Sequence, residues 1–474
     1  MELLGFHDWI IILQVYESGL QPKVNKIILD YYRCPERDVS LAQKGELFRN
    51  KGYFRFGEAI CYGRYCGPVS ESPENGLIDA LLDTVASNGT TVLPFDLTDV
   101  VENLRCEQYA SDWRGGYFRQ ALSRLYYLVR PALPFVARNY LKKLHLQGWE
   151  HQPFPHWPVD CSVDNLAAQV LRLALKSSGS REIPFIWFWP EGASSCAIMT
   201  HDVETEVGQK FCPNLMDIDD SFGIKASFQI VPEERYSINT EFLNSIRGRG
   251  FEVVVHDLNH DGHLYKNREQ FLRRAAKINA YREKYGIEGF RAAVLYRKQL
   301  WYDALQFSYD MSVPNVAHLD PQHGGCCTVM PYFIGNILEL PVTTTQDYML
   351  FHILNEYSTR LWKQQIKLIM EKHGLISFIV HPDYVMKARE QEIYEELLAY
   401  LAELRAKKGV WITTPGEVNR WWRQRAELEI VETGEQLRIE GPGSERARIA
   451  YASEQDGRLI LRCRTNSLVG SSVM

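Results

Sequence analysis

Cys196-Ala197-Ile198-Met199-Thr200-His201-Asp202-Val203-Glu204 is an apolar run that ends in two carboxylates. Its first four residues read as a buried strand. Phe251-Glu252-Val253-Val254-Val255 leads in the same way into His256-Asp257-Leu258-Asn259-His260. Successive side chains of a strand point to opposite faces, so Asp202 and Glu204 share one side. Val203 and His201 take the other, which gives His201 a structural role. Parallel α/β folds gather their sites at the carboxyl ends of strands. Two carboxylates and two imidazoles at neighbouring strand ends are the ligand set of a catalytic divalent-metal site with an acid or base beside it. Glu204, His256 and His260 are the expected ligands, leaving coordination positions for water and a substrate oxygen. Asp202 is expected to take the proton from that water, held ionised by the cation and by Arg291.

Outward from this pair, the apolar run from Ile183 to Trp189 reads as the opening of a central domain. Strands are expected at 227–231, 251–255, 289–291, 337–342 and 375–381. Helices are expected at 242–247, 268–285, 361–373 and 390–407. That βαβα rhythm predicts a parallel sheet with enough units to close a barrel.

The flanks read differently. Residues 1–112 form an α/β accessory domain, with strands at 10–15 and 90–93 and helices at 77–86 and 99–109. Ser87-Asn88-Gly89 reads as the stop signal of the first helix, and Gly52–Gly57 as a strand that exposes aromatics. Residues 113–184 are a basic helical connector. No Asp or Glu occurs between Asp112 and Glu150, while Arg119, Arg124, Arg130 and Lys142 recur beside apolar residues at helical spacing. The favoured reading is a packed helical pair with a solvated basic face. Peripheral membrane contact through 113–149 is the alternative. Residues 424–474 alternate between tight turns and predict a small antiparallel β module.

The chain has 474 residues, 45% hydrophobic and 24% charged, which fits a soluble globular protein of two or three domains. A net charge of -6 argues against general nucleic-acid binding. The 10 cysteines show no disulfide framework, including Gly324-Gly325-Cys326-Cys327, which reads as a tight turn with buried thiols. A reduced, cytoplasmic setting is expected, because the N-terminus lacks the features of a secretory signal and no apolar span suits a membrane.

Thr200 to Glu204, His256 to His260, Gly289-Phe290-Arg291 and Phe378-Ile379-Val380-His381-Pro382 resemble, in order and spacing, the motifs of the polysaccharide deacetylase (NodB-homology, carbohydrate esterase family 4) proteins. The resemblance covers residues 185–423. It implies a distorted (β/α) barrel and metal-dependent removal of an acetyl group from an N-acetylated or O-acetylated sugar of a glycan or glycan precursor. Position by position it implies Asp202 as base and Glu204, His256 and His260 as metal ligands. Arg291 would orient the base and His381 would be the general acid. The implied cofactor is a divalent metal, zinc first, with cobalt or nickel as alternatives. The chemistry agrees, since an amine cannot leave as an anion and a protonated group such as His381 must supply its proton.

Two departures from the family pattern stand out. Val203 separates the two acids, and Glu204 replaces a ligand aspartate. Ala292-Ala293-Val294 replaces the usual proline and aromatic or glycine after the arginine, so the oxyanion donor is assigned to Val294. Asp310 and Asp383 both qualify as the aspartate that tunes His381. Trp301 and Tyr302, with Tyr332 and Phe333, are candidates for an acetyl pocket or sugar platform, against a favoured core reading. The alternatives to a deacetylase are a catalytically degenerate carbohydrate binder and a hydrolase of non-sugar amides on the same fold. The expected partner is an acetylated carbohydrate and not a nucleic acid.

Overall fold

The computed structural model describes residues 22–463 apart from 75, 113–145 and 435. The strand expected at 10–15, the basic stretch from Arg114 to Lys143 and the residues after 463 lie outside the described residues. Among the described residues, no helix is long and apolar enough to cross a membrane. The chain divides into two compact units. One gathers Met1–Asn103, Ser162–Ala193 and Trp421–Met474, the other Leu104–Cys161 and Ser194–Arg420.

In the first unit the helix Ser162–Ser178 lies among small sheets. The helix expected at 77–86 is absent. Asp79 accepts a hydrogen bond from Leu81 N at 3.1 Å and opens a short 3-10 turn, Ala80–Asp83. Val85–Ser87 then pairs antiparallel with Thr90–Leu93. Asn88 and Gly89 both have positive φ, 51° and 79°. They form the two-residue hairpin turn that Asn-Gly favours, so the supposed stop signal is a turn between strands. The Gly52–Phe56 strand buries Tyr53, Phe54 and Phe56 and exposes Arg55, the reverse of the expected exposure.

The apolar run at 183 also belongs here. Glu182–Ile186 pairs antiparallel with Ile449–Gln455, which pairs in turn with Arg458–Cys463. An uninterrupted apolar strand carries no period that says which sheet it joins. The expected C-terminal module is therefore two separate pieces, this three-stranded sheet and the hairpin of Glu429–Thr433 with Gln436–Glu440. Arg425, buried, donates to the carbonyls of Tyr31, Ile186 and Trp187 at 2.8–3.1 Å.

The second unit holds nine strands among the described residues: β1 Cys196–Val203, β2 Ser227–Ile230, β3 Glu252–His256, β4 Gly289–Arg291, β5 Tyr309–Asp310, β6 Tyr332–Ile334, β7 Ile337–Glu339, β8 Leu375–Ile379 and β9 Trp411–Thr413. The sheet runs β6-β7-β5-β4-β3-β2-β1-β8, with β9 beside the first half of β1. All pairs are parallel except β6 with β7. The sheet curls without closing by a strand ladder. Between β7 and β8 the Thr343 hydroxyl donates to Leu375 O at 2.8 Å and accepts from Ser377 N at 2.9 Å. Thr344 Oγ1 donates to Ser377 O at 2.8 Å. These side-chain bonds, with one backbone bond from Thr344 N to Ser377 O at 3.3 Å, close the gap where strands do not pair.

Helices Glu206–Ser221, Arg268–Tyr285, Arg360–Met370 and Ala388–Lys408 follow the barrel strands. They start on side-chain caps where the sequence offers them: Thr205 accepts from Gly208 N at 2.9 Å and Asn267 from Gln270 N at 2.8 Å. Their apolar faces, through Leu215, Phe271, Ile366 and Leu397, join one core with Phe228, Val255 and Phe378 of the strands.

The helix expected at 99–109 is broken into Leu97–Arg105 and Gln108–Asp112. Glu107 sits at the break with φ 56°. Its carboxylate pairs with the buried Arg297, with Nε to Oε2 at 2.6 Å, and accepts from Gly325 N at 2.6 Å. Glu107→Ala would strand a buried guanidinium and a backbone N–H. The expected loss is about 3–5 kcal/mol in denaturant unfolding. A loss under about 1 kcal/mol would mean that the pair is solvated in solution.

Candidate active site

Asp202 and Glu204 lie at the end of β1 and just beyond it, His256 ends β3, Arg291 ends β4, and His381 follows β8. The β1 strand pairs with β8 on one side and β2 on the other, so these carboxyl ends share one mouth. Alternation holds as expected: Val203 is in the core and His201 is buried on that same face. The ring nitrogens of His201 lie 3.1 Å from Val380 O and 3.0 Å from Asp219 Oδ2, away from the acids.

One oxygen is the centre of the cluster. Glu204 Oε1 lies 2.8 Å from His260 Nε2, 3.6 Å from His256 Nε2 and 3.4 Å from His381 Nε2. Donor atoms of Glu204, His256 and His260 all lie within 4.8 Å of one another. The His256 and His260 Nε2 atoms are buried, and neither makes a hydrogen bond of acceptable angle, the 2.8 Å approach included. His256 Nδ1 lies 3.1 Å from the Arg291 carbonyl, which accepts its N–H and turns the Nε2 lone pair toward Glu204. Two imidazole nitrogens and a carboxylate converging on one point without a hydrogen bond between them fit a cation. This donor set suits a divalent metal.

The loop from His256 to Asp261 is held from behind. His260 has φ 57° and Asp257 has φ 57°, left-handed values that the surroundings impose. Arg235 donates to His260 O at 2.6 Å and to Asn259 O at 3.2 Å, and Arg274 grips both Asp261 oxygens at 2.6 Å. Asp257 accepts from Leu258 N at 2.6 Å. Neither acid orients the imidazole of His256 or His260; a backbone carbonyl does so for His256.

Arg291 is buried and donates from Nη1 to Asp202 Oδ1 at 2.6 Å and to Thr200 Oγ1 at 2.7 Å, and from Nε to Met311 O at 3.0 Å. Burial raises the Asp202 pKa, but Arg291 and then His256 outweigh it and keep the group below the usual carboxylate value. Burial likewise opposes ionisation of Glu204, and the three imidazoles reverse it, holding its pKa well down. Burial disfavours the charged form of His381, yet Asp347 and Glu204 push its pKa well above the ordinary imidazole value.

Asp347 is the aspartate of His381. Its Oδ1 lies 2.7 Å from His381 Nδ1, and its Oδ2 accepts from the His381 backbone N–H at 2.7 Å. This corrects the expectation of Asp310 or Asp383. Asp383 lies near Thr205, 3.5 Å from its hydroxyl. Asp310 is buried on β5, accepting from Tyr302 OH at 2.9 Å, Ser312 N at 2.9 Å and Ser312 Oγ at 2.8 Å. Asp347 stands at the head of the helical turn after β7, where the sequence carries no periodic signal.

Asp310 faces Glu339 with no counter-charge in contact, and burial raises both pKa values. A carboxyl whose folded pKa is raised lends stability below its unfolded pKa and loses it as pH rises through the folded value. Unfolding temperature should therefore fall from mildly acid to neutral pH. Glu339→Gln should flatten that fall, and an unchanged pH profile would contradict the assignment.

The aromatic candidates resolve as mostly core. Tyr302 and Tyr332 are buried, at 1% and 3% exposure. Trp301 is half-buried under Lys298 and Arg268, 4.3 and 5.5 Å from its ring centre, and packs on Phe271. Phe333 is partly exposed on β6. None of the four joins the acid and imidazole cluster. Val294 does sit at the mouth, 40% exposed with φ 57°, one strand end from His256. Its N–H makes no hydrogen bond among the described residues.

No protein-family model and no curated protein matches the chain. Among solved structures, it is similar to a Mycobacterium smegmatis protein described as a polysaccharide deacetylase, at 17% identity over 52% of this chain and 96% of that one, with a TM-score of 0.41. It is similar to a family 4 acetyl xylan esterase from Clostridium thermocellum in complex with cobalt, at 14% identity over 48% and 91%, TM-score 0.31. It is also similar to a peptidoglycan deacetylase from Bacillus subtilis, at 12% identity over 50% and 94%, TM-score 0.30. By their names these three are deacetylases or an esterase, the kind whose motifs the chain resembles.

Proposed function

We propose that the chain is a metal-dependent hydrolase that removes an acetyl group, as amide or ester, from a sugar of a glycan or glycan precursor. The observation that carries this reading is the convergence of Glu204, His256 and His260 on one point, with Asp202–Arg291 and His381–Asp347 beside it. Glu204, His256 and His260 would hold the cation, zinc or else cobalt or nickel. When bound, such a cation lowers the pKa of water and polarises the acyl oxygen.

The remaining work falls to the side chains. Asp202 is kept ionised by Arg291 and takes the proton of the attacking water at Oδ2, the oxygen that Arg291 leaves free. The Val294 N–H donates to the oxyanion as it develops on the acyl oxygen. His381, protonated through Asp347, delivers its Nε2 proton to the departing nitrogen or oxygen. Each proton thus has a source and a destination: water to Asp202, His381 to the leaving group.

The test is acetate release from N-acetylated and O-acetylated sugar oligomers by metal-loaded protein. The reading predicts release that a chelator stops and added zinc, cobalt or nickel restores. A metal-free protein that still retains the oligomer would support the binder reading instead.

A further inference from the structure

His381 Nε2 supplies the proton of the leaving group in the reading above, so whatever carries that group must stand on the His381 side of the site. Three rings occupy that side. The Tyr384 ring centre lies 4.8 Å from that of His381. His352 stands edge-on to Tyr384 at 4.9 Å and 74°, and Tyr348 lies 5.8 Å from Tyr384 and 5.5 Å from His352.

Their place in the chain ties them to the acid. Tyr384 closes the single turn Pro382–Tyr384 that starts at His381. Tyr348 follows Asp347 directly, and Met349–Leu354 is a π-helix whose wide turn sets Tyr348 and His352 ring to ring. Such turns recur at functional sites. All three rings are half-buried, unlike the fully buried Tyr302 and Tyr332. The Tyr384 hydroxyl makes no hydrogen bond among the described residues and is not among the sealed polar atoms of the core. A core tyrosine normally finds a partner for that group. A half-buried ring with a free hydroxyl at its rim matches a pyranose, which offers C–H bonds on its face and hydroxyls at its edge. A small aliphatic amide has no ring face to stack and no ring hydroxyls.

We propose that Tyr384, backed by Tyr348 and His352, is the platform on which the leaving sugar ring packs, so that the substrate is an acetylated pyranose and not a small non-sugar amide. The proposal rests on the deacetylase reading for which side the sugar takes.

The test pairs acetate release with calorimetric binding, using di-N-acetylchitobiose and ethyl acetate as probes on metal-loaded protein. Tyr384→Ala should lower the preference for the disaccharide over ethyl acetate about tenfold, mostly through KM, at unchanged metal content. Tyr384→Phe, which keeps the ring, should retain most of that preference. Tyr348→Ala should shift it in the same direction as Tyr384→Ala. If wild type releases acetate and the alanine variants alter both probes equally or neither, the platform is overturned and the deacetylase reading stands. If wild type binds the disaccharide without releasing acetate, and Tyr384→Ala abolishes binding, the platform stands and the deacetylase reading fails. If wild type neither binds nor cleaves the disaccharide, the platform is overturned.

Discussion

Asp202→Asn is expected to keep its metal and lose its turnover, with acetate release falling about a hundred- to ten-thousandfold. The substitution preserves shape and an acceptor for Arg291, which donates to Asp202 at 2.6 Å. What it removes is a site for a proton. The carboxylate is buried, and burial alone would favour the neutral acid; Arg291 is what keeps it a base. His256→Ala should show the opposite order of events, with the metal gone and turnover gone with it. Elemental analysis and acetate assays on the same two preparations separate the roles. Equal metal loss in both variants would make Asp202 a ligand, contrary to its assignment.

Asp347→Asn is expected to lower acetate release from amides about a hundredfold while leaving metal content intact. Asp347 is fully buried and accepts twice from His381, from the ring at 2.7 Å and from the backbone at 2.7 Å. Asparagine can still meet the backbone N–H, but it supplies no negative charge to favour the imidazolium. His381 would then be neutral over more of the pH range, and the leaving group would lack its donor. Amides should suffer more than esters, because an amine needs the proton to leave at all. A uniform loss on both substrate types would instead point to a misplaced ring.

The curled parallel sheet was legible, though not its failure to close, because its strands are apolar runs that stop at chemistry-bearing residues. β1, β3 and β8 each end in the mouth, and Asp202, Glu204, His256, His260, Arg291 and His381 meet there. Local spacing placed them, since alternation along β1 decides which side Asp202 and Glu204 take. Asp347 was not legible, because it reaches His381 from a stretch with neither helical nor strand period. The apolar run from Ile183 to Trp189 does not open the central domain, for a related reason: a run without polar residues carries no sequence alternation that names its partner strand. Asn88-Gly89 was different, since the hairpin signal was present and was outweighed by a helical pattern in 77–86. Asp310 looked like a tuning acid by position alone, and only packing shows Tyr302 and Ser312 around it.

Equilibrium titration of chelator-stripped protein with zinc, followed by elemental analysis, tests the central claim most directly. One tightly held equivalent per chain, lost in both His260→Ala and Glu204→Ala, is the predicted result. Binding that survives in a His256→Ala, His260→Ala double variant, or no binding in wild type, would contradict a cation seated between Glu204 and the two imidazoles.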